Sequence, residues 1–325
     1  MEVTFPSTRG PRLAIAGAVT ILLAAVLWVG TDQQLNRIDF FNYWFGGLAA
    51  LHHRSPYLAV DAAAAIGHPG YSYHYPGPAA LWLAPFGLLS QRLAYVLWTA
   101  FGVGFLVYGI TQAGWWRLGI LASAPLWVSV LMGQTGPWTT AAAVLPWFGW
   151  VYAAKPSIGL ALWLAWPRRS SVVAGAGLVL LSLLWLPGWP QAWWANVADA
   201  PFYLAPIRRP FGWLLLLGWL RWREPGGRLI GALALIPHTT SLYEMMPLLL
   251  LAKRPRHLLV LLALGWTAYY GIYTYTSRTP ADVVQLLAAQ WPYILTLCYL
   301  PALGLVLLAK SKNLSPIAEE SEATR

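Results

Sequence analysis

Charged residues are scarce in this chain. They make up 10% of its 325 residues, whereas soluble domains carry about 25%. Charge is missing altogether between Arg117 and Lys155 and from Val283 to Ala309, and a helix needs about 20 apolar residues to cross a bilayer. These properties exclude a water-soluble fold. They predict an all-α, polytopic membrane helix bundle of about ten spans.

Acidic residues and cysteine are scarcer still. The formal net charge is +10, but the basic residues stand in short clusters between apolar runs, which is the positive-inside pattern and not a nucleic-acid-binding surface. The single cysteine, Cys298, excludes an intrachain disulfide and a cysteine-based metal site. A Walker loop and a dinucleotide fingerprint are also lacking. The sequence therefore supports no cofactor, no metal and no nucleic-acid partner, and only the histidines of the outer loop leave a metal site open.

The order of the apolar runs predicts a single membrane domain over residues 1–310. The first run, 11–30, is too long for a signal-peptide core and lacks a small-residue cleavage site, so we expect an uncleaved span that starts in the cytoplasm. Residues 31–77 then form an outer loop, and a span over 78–89 returns to a cytoplasmic Arg92. Later spans are expected over 93–111, 172–186, 211–222, 257–276 and 291–309, followed by a disordered cytoplasmic tail, 311–325.

Two apolar segments are interrupted. In 115–166 the breaks are Gly133-Gln134-Thr135-Gly136-Pro137 and Lys155-Pro156, which predict short helices that end inside the protein, where protein or a watery cavity covers them. In 229–252 the break is IPHTTSLYEMMP. It predicts either two short helices with an outer apex at His238 to Glu244 or one tilted span, and the sequence leaves both open.

The stretch from Ile38 to Pro85 carries the strongest functional signal. On a helical wheel, Asn42, Tyr43, Gly46, Ala50 and His53 fall on the side of Asp39, and Phe40, Phe41, Trp44, Phe45, Leu48 and Leu51 fall on the opposite side. That pattern is typical of a helix in the membrane interface with its aromatic residues toward lipid. Asp39 is then a candidate catalytic acid at the edge of the bilayer, and a solvated loop carboxylate is the structural alternative.

Few other ionisable residues lie within or beside the apolar segments, where they are functional candidates by default. Lys155 would provide a point charge for a phosphate or snorkel to an interface. His238 would hydrogen-bond a phosphate or a sugar hydroxyl, or have a structural role, and Glu244 would pair with it or with a basic residue. Arg208 and Arg209 suit phosphate geometry, although such arginines also bind lipid head groups.

A resemblance to a known family joins these motifs. In chain order they are Asp39-Phe-Phe-Asn-Tyr43, Pro56-Tyr57, Tyr73-His-Tyr75-Pro76, Gly133-Gln134, Lys155-Pro156 and Pro237-His238. This series resembles the membrane glycosyltransferases of family eighty-seven, whose best-known members are polyprenyl-phosphate-mannose-dependent α-mannosyltransferases. It covers Ile38 to Leu251. Two departures are His53, where the family usually has glycine, and a compressed stretch between Gln134 and Lys155.

The resemblance implies a GT-C architecture in the cell membrane, with an active site on the extracytoplasmic side. Asp39 would be the general base while a mannose-like hexose passes, with inversion, from a polyprenyl-phosphate donor to a lipid or glycan acceptor. Lys155, Arg208 or His238 would stabilise the departing lipid phosphate. Substrate contacts are expected from Tyr43, Tyr57, Tyr75, Gln134, Lys155, Arg208, Arg209, His238 and Glu244.

Two other functions compete with this one. A transporter or lipid flippase also has broken helices and buried charges, although it usually shows internal repeats and acids within the membrane. A structural or assembly subunit is the third reading, because no motif in the sequence requires turnover. Asp39 separates the three, because only the enzyme needs its carboxylate for a new glycosidic bond.

Overall fold

The computed structural model describes residues 8–31, 39–58, 73–198, 200, 203–278 and 283–309. Over these residues the chain forms helices, turns and one isolated β-bridge, with no strand, which confirms the all-α class. The predicted tail, 311–325, and the loop segments 32–38 and 59–72 lie outside the described residues.

The helix boundaries are as follows. The α-helices are α1 (Arg9–Gly30), α2 (Phe40–Leu51), α3 (Gly77–Gly87), α4 (Gln91–Ile110), α5 (Ala124–Met132), α6 (Gly136–Val144), α7 (Val151–Ala154), α8 (Pro156–Ala165), α9 (Arg169–Trp185), α10 (Trp189–Val197), α11 (Pro225–Leu235), α12 (Pro255–Arg278), α13 (Val283–Tyr293) and α14 (Leu300–Leu307). Between them lie 3₁₀ helices at Pro56–Leu58, Thr111–Ala113, Trp115–Ala122, Pro146–Phe148, Pro206–Arg208, Gly212–Arg221 and Leu242–Leu251, and a π-helical turn at Ile294–Tyr299.

In the part of the chain that the structure describes, four helices are long and apolar enough to cross a membrane, and the number rises to six if each of two bent pairs is one span. The four are Arg9–Gly30, Gln91–Ala113, Pro255–Ser277 and Val284–Leu307, and the bent pairs are Trp115–Ala122 with Ala124–Met132 and Arg169–Trp185 with Trp189–Val197. This is fewer than the ten or so expected from the apolar runs. The reason is that runs such as Pro156–Ala165 and Leu242–Leu251 form short helices, about half to two-thirds as long as the hydrocarbon is thick.

Helix α1 packs antiparallel to α4. Arg12, near the start of α1, donates to the backbone oxygen of Tyr108 at 2.7 Å, and Arg92, at the start of α4, donates to the backbone oxygen of Trp28. The end of α1 and the start of α4 therefore lie at the same end of the bundle. Helix α3, with 11 residues, is only about 16 Å long. The prediction that 78–89 crosses the membrane to bring Arg92 to the opposite side is wrong.

Helices α2 and α3 form a close antiparallel pair beside that end. Gly47 of α2 lies against the backbone of Leu83 in α3, and the adjacent Gly46 lies against the ring of Tyr73. A side chain at either glycine would collide with these neighbours. The two glycines therefore set how closely the pair can pack, and with it the position of Asp39 directly before α2.

The aromatic side chains of α2 are covered by protein. Phe40, Phe41 and Phe45 are 0%, 3% and 6% exposed, and Phe40 packs against the rings of Tyr95 and Trp98 in α4 at centroid distances of 5.5 and 6.4 Å. The helix predicted after Asp39 is present. The prediction that these three phenylalanines face lipid is wrong, because α3 and α4 occupy that side.

Arginines collect at the opposite end of the bundle and donate to backbone oxygens at helix ends, which satisfies carbonyls that the helix leaves unpaired. The contacts are Arg12 to Tyr108, Arg117 to Ala252 at 3.0 Å, Arg221 to Leu307 at 2.9 Å and Arg228 to Ala165 at 2.7 Å. Glu224 joins this group through Arg221 at 3.5 Å and Lys253 at 3.2 Å. We call this group of residues the basic end.

The two interrupted segments fold into short helices. Gln134 and Lys155, at the breaks of 115–166, are 2% and 7% exposed, so helix ends do stop inside the protein as predicted. The segment 229–252 takes the first of its two alternatives, because α11 and Leu242–Leu251 are separate helices. Both have one end at the basic end, and His238, Thr240 and Glu244 between and beside them are buried, whereas Pro237 is exposed.

The close approach of α2 and α3 yields a stability prediction. Gly47→Ala is expected to lower the midpoint of thermal unfolding in detergent, because its methyl group meets backbone atoms of Leu83 that cannot swing aside, at a cost of about 1–3 kcal/mol. Gly177→Ala in α9 is the matched control, since its methyl group meets nothing within 4 Å and alanine favours a helix by roughly 0.5–1 kcal/mol. Equal midpoints for the two variants would contradict the packing.

Candidate active site

The carboxylate of Asp39 is held by an amide from another part of the chain. Gln134 donates from Nε2 to Asp39 Oδ2 at 2.6 Å, and its Oε1 accepts a hydrogen bond from the hydroxyl of Tyr43 at 2.9 Å. Asp39 lies at the N-terminus of α2. Aspartates at this position commonly accept a capping hydrogen bond from the helix, but the side chain of Asp39 does not. Gly133, left-handed with φ 65°, ends α5 and so places Gln134 beside α2.

The environment of Asp39 favours a proton acceptor. Burial raises the pKa of Asp39 above its ordinary value, because a charged carboxylate is disfavoured away from water, while the hydrogen bond from Gln134 and the positive charge of Lys155 oppose that rise. A carboxylate with a raised pKa binds a proton more strongly than a solvated one. Asp39 is therefore suited to general-base chemistry.

Tyrosine rings surround this carboxylate on one side. Tyr43 stacks on Tyr75 with ring centroids 4.3 Å apart, and the hydroxyl of Tyr57 donates to the backbone oxygen of Tyr75 at 2.7 Å. Trp193 and Asn196 of α10 donate to neighbouring backbone oxygens of the same loop at 3.0 Å each. These contacts fix the position of the Tyr75 ring near Asp39. Tyr57 supports the loop that carries Tyr75.

Lys155 and Glu244 form a buried ion pair. Lys155 Nζ lies 3.0 Å from Glu244 Oε1 and 5.0 Å from the ring centroid of Tyr243. The second oxygen of Glu244 accepts from the backbone N–H of Thr240 at 3.1 Å. The predicted partnership of Glu244 with a basic residue is therefore observed. Lys155 does not snorkel to an interface in this structure.

His238 is fully buried, with both ring nitrogens engaged. Nδ1 lies 2.8 Å from the backbone oxygen of Ile236 and Nε2 lies 2.9 Å from the hydroxyl of Tyr299. A carbonyl only accepts, so Nδ1 carries the proton. Burial lowers the pKa of His238, although Glu244 opposes this, which favours the neutral ring with Nε2 accepting from Tyr299. His238 therefore orients the hydroxyl of Tyr299.

Arg209 lies beside the same tyrosine. It is 9% exposed, its guanidinium carbon is 5.8 Å from the ring centroid of Trp291, and its charge acts on His238. An isolated β-bridge between Leu204 and His238 joins the two segments. Arg209 thus belongs to the cluster. The adjacent Arg208 is exposed, and its side chain makes no hydrogen bond or ion pair with a described residue.

Most of the predicted site residues therefore meet in one place. The joined group is Asp39, Tyr43, Tyr75, Gln134, Lys155, Arg209, His238 and Glu244. Tyr57 contacts this group through the backbone of Tyr75, and the exposed Arg208 lies outside the group. Among the described residues, no three side chains of His, Cys, Asp or Glu are close enough to hold a metal ion.

Three tyrosines of the cluster were missed by sequence reasoning. Tyr203, Tyr243 and Tyr299 all border it, since the charge of Glu244 acts on each of them. Tyr243 had a usable signal, because it precedes Glu244 in the interrupted segment. Tyr203 lies in a Trp-rich loop and Tyr299 in an apolar run, and neither has a local pattern that sets it apart from an interfacial aromatic residue.

The buried ion pair yields a prediction for unfolding in detergent. Lys155→Met alone leaves the Glu244 carboxylate buried without a cation and is expected to cost about 3–5 kcal/mol. Lys155→Met combined with Glu244→Gln removes both charges and keeps an acceptor for the Thr240 N–H, so most of that loss should be recovered. Equal losses in the single and double variants would contradict the pairing.

Comparisons with protein-family models, with curated proteins and with solved structures returned no match for this chain. What the cluster does is therefore inferred from its own chemistry: a partly buried carboxylate, an amide that orients it, and two buried cations within an apolar helix bundle.

Proposed function

We propose that this chain is a membrane glycosyltransferase. It moves a mannose-like hexose from a polyprenyl-phosphate donor to a lipid-linked or glycan acceptor, with inversion of the anomeric carbon. One observation carries the proposal: the Asp39 carboxylate, oriented by Gln134 and with its pKa raised by burial, shares a cluster with the cations Lys155 and Arg209. A base and a positive charge close together are what this transfer requires.

The proposed reaction uses the carboxylate oxygen of Asp39 that Gln134 leaves unoccupied. Gln134 occupies Oδ2 of Asp39, so Oδ1 takes the proton from the acceptor hydroxyl. The hydroxyl oxygen attacks the anomeric carbon as the bond from that carbon to the phosphate oxygen breaks, and the electron pair leaves with the lipid phosphate. One displacement inverts the anomeric centre. A positioned general base contributes roughly 10²–10⁴-fold to such a step, and a fixed cation stabilises the charge on the leaving phosphate.

The location of the site supports a lipid-linked donor. If the basic end faces the cytoplasm, as the positive-inside rule predicts, the pair α2–α3 and Asp39 lie toward the outer side. Nucleotide sugars are confined to the cytoplasm, so the sugar at this site must arrive on a lipid. Arg92 is the exception to this charge pattern, because it contacts the C-terminal end of α1 and so lies at the end of the bundle away from the basic end.

The family resemblance is part of the proposal. Its landmarks are separated by up to about 200 residues in the chain, from Asp39 to His238. Five of them, Asp39, Tyr43, Gln134, Lys155 and His238, share one cluster. Residues that only resembled a motif by chance would have no reason to meet. This convergence supports membership of family eighty-seven and a GT-C architecture.

Asp39→Asn tests the general base. The amide keeps the size and a hydrogen-bonding oxygen but does not take up the proton, so transfer from a radiolabelled polyprenyl-phosphate sugar is expected to fall by roughly 10²–10⁴-fold. Membranes that contain the variant are compared with membranes that contain the unaltered chain, at matched protein levels.

The same assay separates the rival functions. Transfer that is unchanged in Asp39→Asn would remove the mechanism. A transporter or flippase would instead move the labelled lipid across the bilayer without forming a new glycosidic bond, and a structural subunit would do neither.

Gln134→Leu tests the environment of Asp39 through the pH dependence of transfer. Asp39 works in its deprotonated form, so activity rises as pH passes upward through its raised pKa. The Gln134 hydrogen bond favours the carboxylate and lowers that pKa. Its removal should therefore move the acid limb of the pH–rate profile to higher pH. Gln91→Leu, at the start of α4, is the matched control and should leave the limb in place. A limb that stays fixed in Gln134→Leu would contradict the role of the amide.

A further inference from the structure

The cluster offers two buried cations, and their surroundings differ. Lys155 Nζ is 3.0 Å from Glu244 Oε1, with both side chains less than a tenth exposed. Its charge is already compensated by a carboxylate that is fixed in turn by the Thr240 N–H. An anion that bound Lys155 directly would have to compete with Glu244 or be repelled by it. Lys155 therefore acts as part of a neutral pair.

Arg209 has no such partner. Three Lys or Arg side chains are buried in the described chain: Arg12, Lys155 and Arg209. Arg12 donates to Tyr108 and Thr111 and Lys155 pairs with Glu244, whereas the side chain of Arg209 makes no hydrogen bond or ion pair with any described residue, and its buried Nε has no acceptor. A buried charge without a partner is expensive. Five N–H donors in a planar fork match the oxygens of a phosphate.

The segment around Arg209 is preorganised. The Arg209 N–H donates to the backbone oxygen of Pro206 at 2.9 Å, and its own carbonyl accepts from Gly212 at 3.0 Å. Trp291 donates to the backbone oxygen of Pro210 at 2.8 Å while its ring lies beside the guanidinium. Because this backbone is already fixed, little further ordering of the segment is needed when the guanidinium binds an anion.

A small apolar groove is lined by residues of the same helices that carry Glu244 and Tyr299. It runs between α5, the helix Leu242–Leu251, α12 and the π-helical turn, and its lining includes Pro125, Met245, Leu248, Leu261, Gly265 and Cys298. Two of these residues are sequence neighbours of cluster residues, because Met245 follows Glu244 and Cys298 precedes Tyr299. Only 22% of the apolar window of α12 is buried inside the protein, so α12 borders the bilayer. Single π-helical turns frequently occur at functional sites.

We propose that Arg209 is the phosphate-binding cation of this site and that the part of the hydrocarbon chain nearest the phosphate packs at the groove between Leu242–Leu251, α12 and the π-helical turn. The identity of the lipid as a polyprenyl phosphate rests on the proposed function. One amphiphilic ligand accounts for both the unpartnered guanidinium and the apolar groove on the neighbouring helices, whereas a free phosphate would use only the guanidinium. Lys155 and Glu244 then orient the sugar side of the site and do not hold the phosphate.

The phosphate half is tested by binding of a polyprenyl phosphate without sugar to the purified full-length chain in nanodiscs. Arg209→Gln should weaken binding roughly tenfold or more, the scale of a lost charge-assisted hydrogen bond. Arg208→Gln makes the same charge change one residue away on an exposed side chain and should leave affinity within about twofold. Arg209→Lys, which keeps the charge, should restore part of the loss, and melting temperatures identify any variant that is misfolded.

The groove half is tested by chain length. Gly265→Leu projects a side chain into the groove, where an added Cβ meets only Pro125 at 3.5 Å, so it should weaken binding of the long-chain lipid phosphate and leave a water-soluble short-chain phosphate unaffected. Gly304→Leu in α14, which meets nothing within 4 Å, is the matched control. Inorganic phosphate, added as competitor, should displace the lipid only at much higher concentration.

The outcomes test three claims separately: that Arg209 binds the phosphate, that the groove binds the hydrocarbon chain, and that the protein transfers sugar. Unchanged affinity in Arg209→Gln, or a loss only in Lys155→Met/Glu244→Gln, would overturn the assignment of the phosphate. Equal affinities for lipid and inorganic phosphate, or no effect of Gly265→Leu, would overturn the groove. Because the probe carries no sugar, these measurements do not depend on turnover. An Asp39→Asn chain that still transfers sugar would end the proposed function and leave the lipid-phosphate site to be judged by binding alone.

Discussion

The hydrogen bond from Gln134 to Asp39 is the constraint on which the arrangement of the site depends. A carboxylate withdrawn from water loses hydration that must be replaced by donors or by a nearby cation. Here the replacement comes from an amide at a break between two short helices and from the charge of Lys155 at a second break. Unbroken helices would have used every backbone group internally and presented apolar surface at this depth. The breaks in the apolar runs are therefore what allows polar chemistry inside the bundle.

The chain handles its positive charges in three different ways. At the basic end, arginines donate to carbonyls at helix ends, and Glu224 joins Arg221 and Lys253 at a partly exposed surface. In the interior, Lys155 is neutralised by Glu244. Arg209 alone is buried among the described residues with no oxygen to receive its protons. The first two arrangements are complete in themselves, whereas the third leaves a guanidinium group without an acceptor, and for that reason we propose a ligand there.

The pair α2–α3 decides where the carboxylate stands relative to the bundle. Both helices lie between the end of α1 and the start of α4, at one end of an antiparallel pair. They pack so closely at Gly47 that their backbones touch. Because neither helix is long enough to cross a bilayer, Asp39 stays at the end of the bundle where α1 ends and α4 begins.

The sequence by itself determined the membrane class, the helical content and the positions of the breaks, because apolar runs, scarce charge and Gly or Pro interruptions are local properties. It also singled out Asp39, Gln134, Lys155, His238, Glu244 and Arg209, because polar residues in apolar surroundings stand out one at a time. Only the tertiary structure decided which of them touch. The pairing of Lys155 with Glu244, the engagement of His238 by Tyr299, the separation of Arg209 from Arg208 and the burial of the aromatic side of α2 all depend on helices distant in sequence. The same reason explains why about ten spans were expected from the sequence and four to six helices of spanning length are found among the described residues: an apolar run has the same composition whether it crosses a bilayer or stops halfway inside a protein.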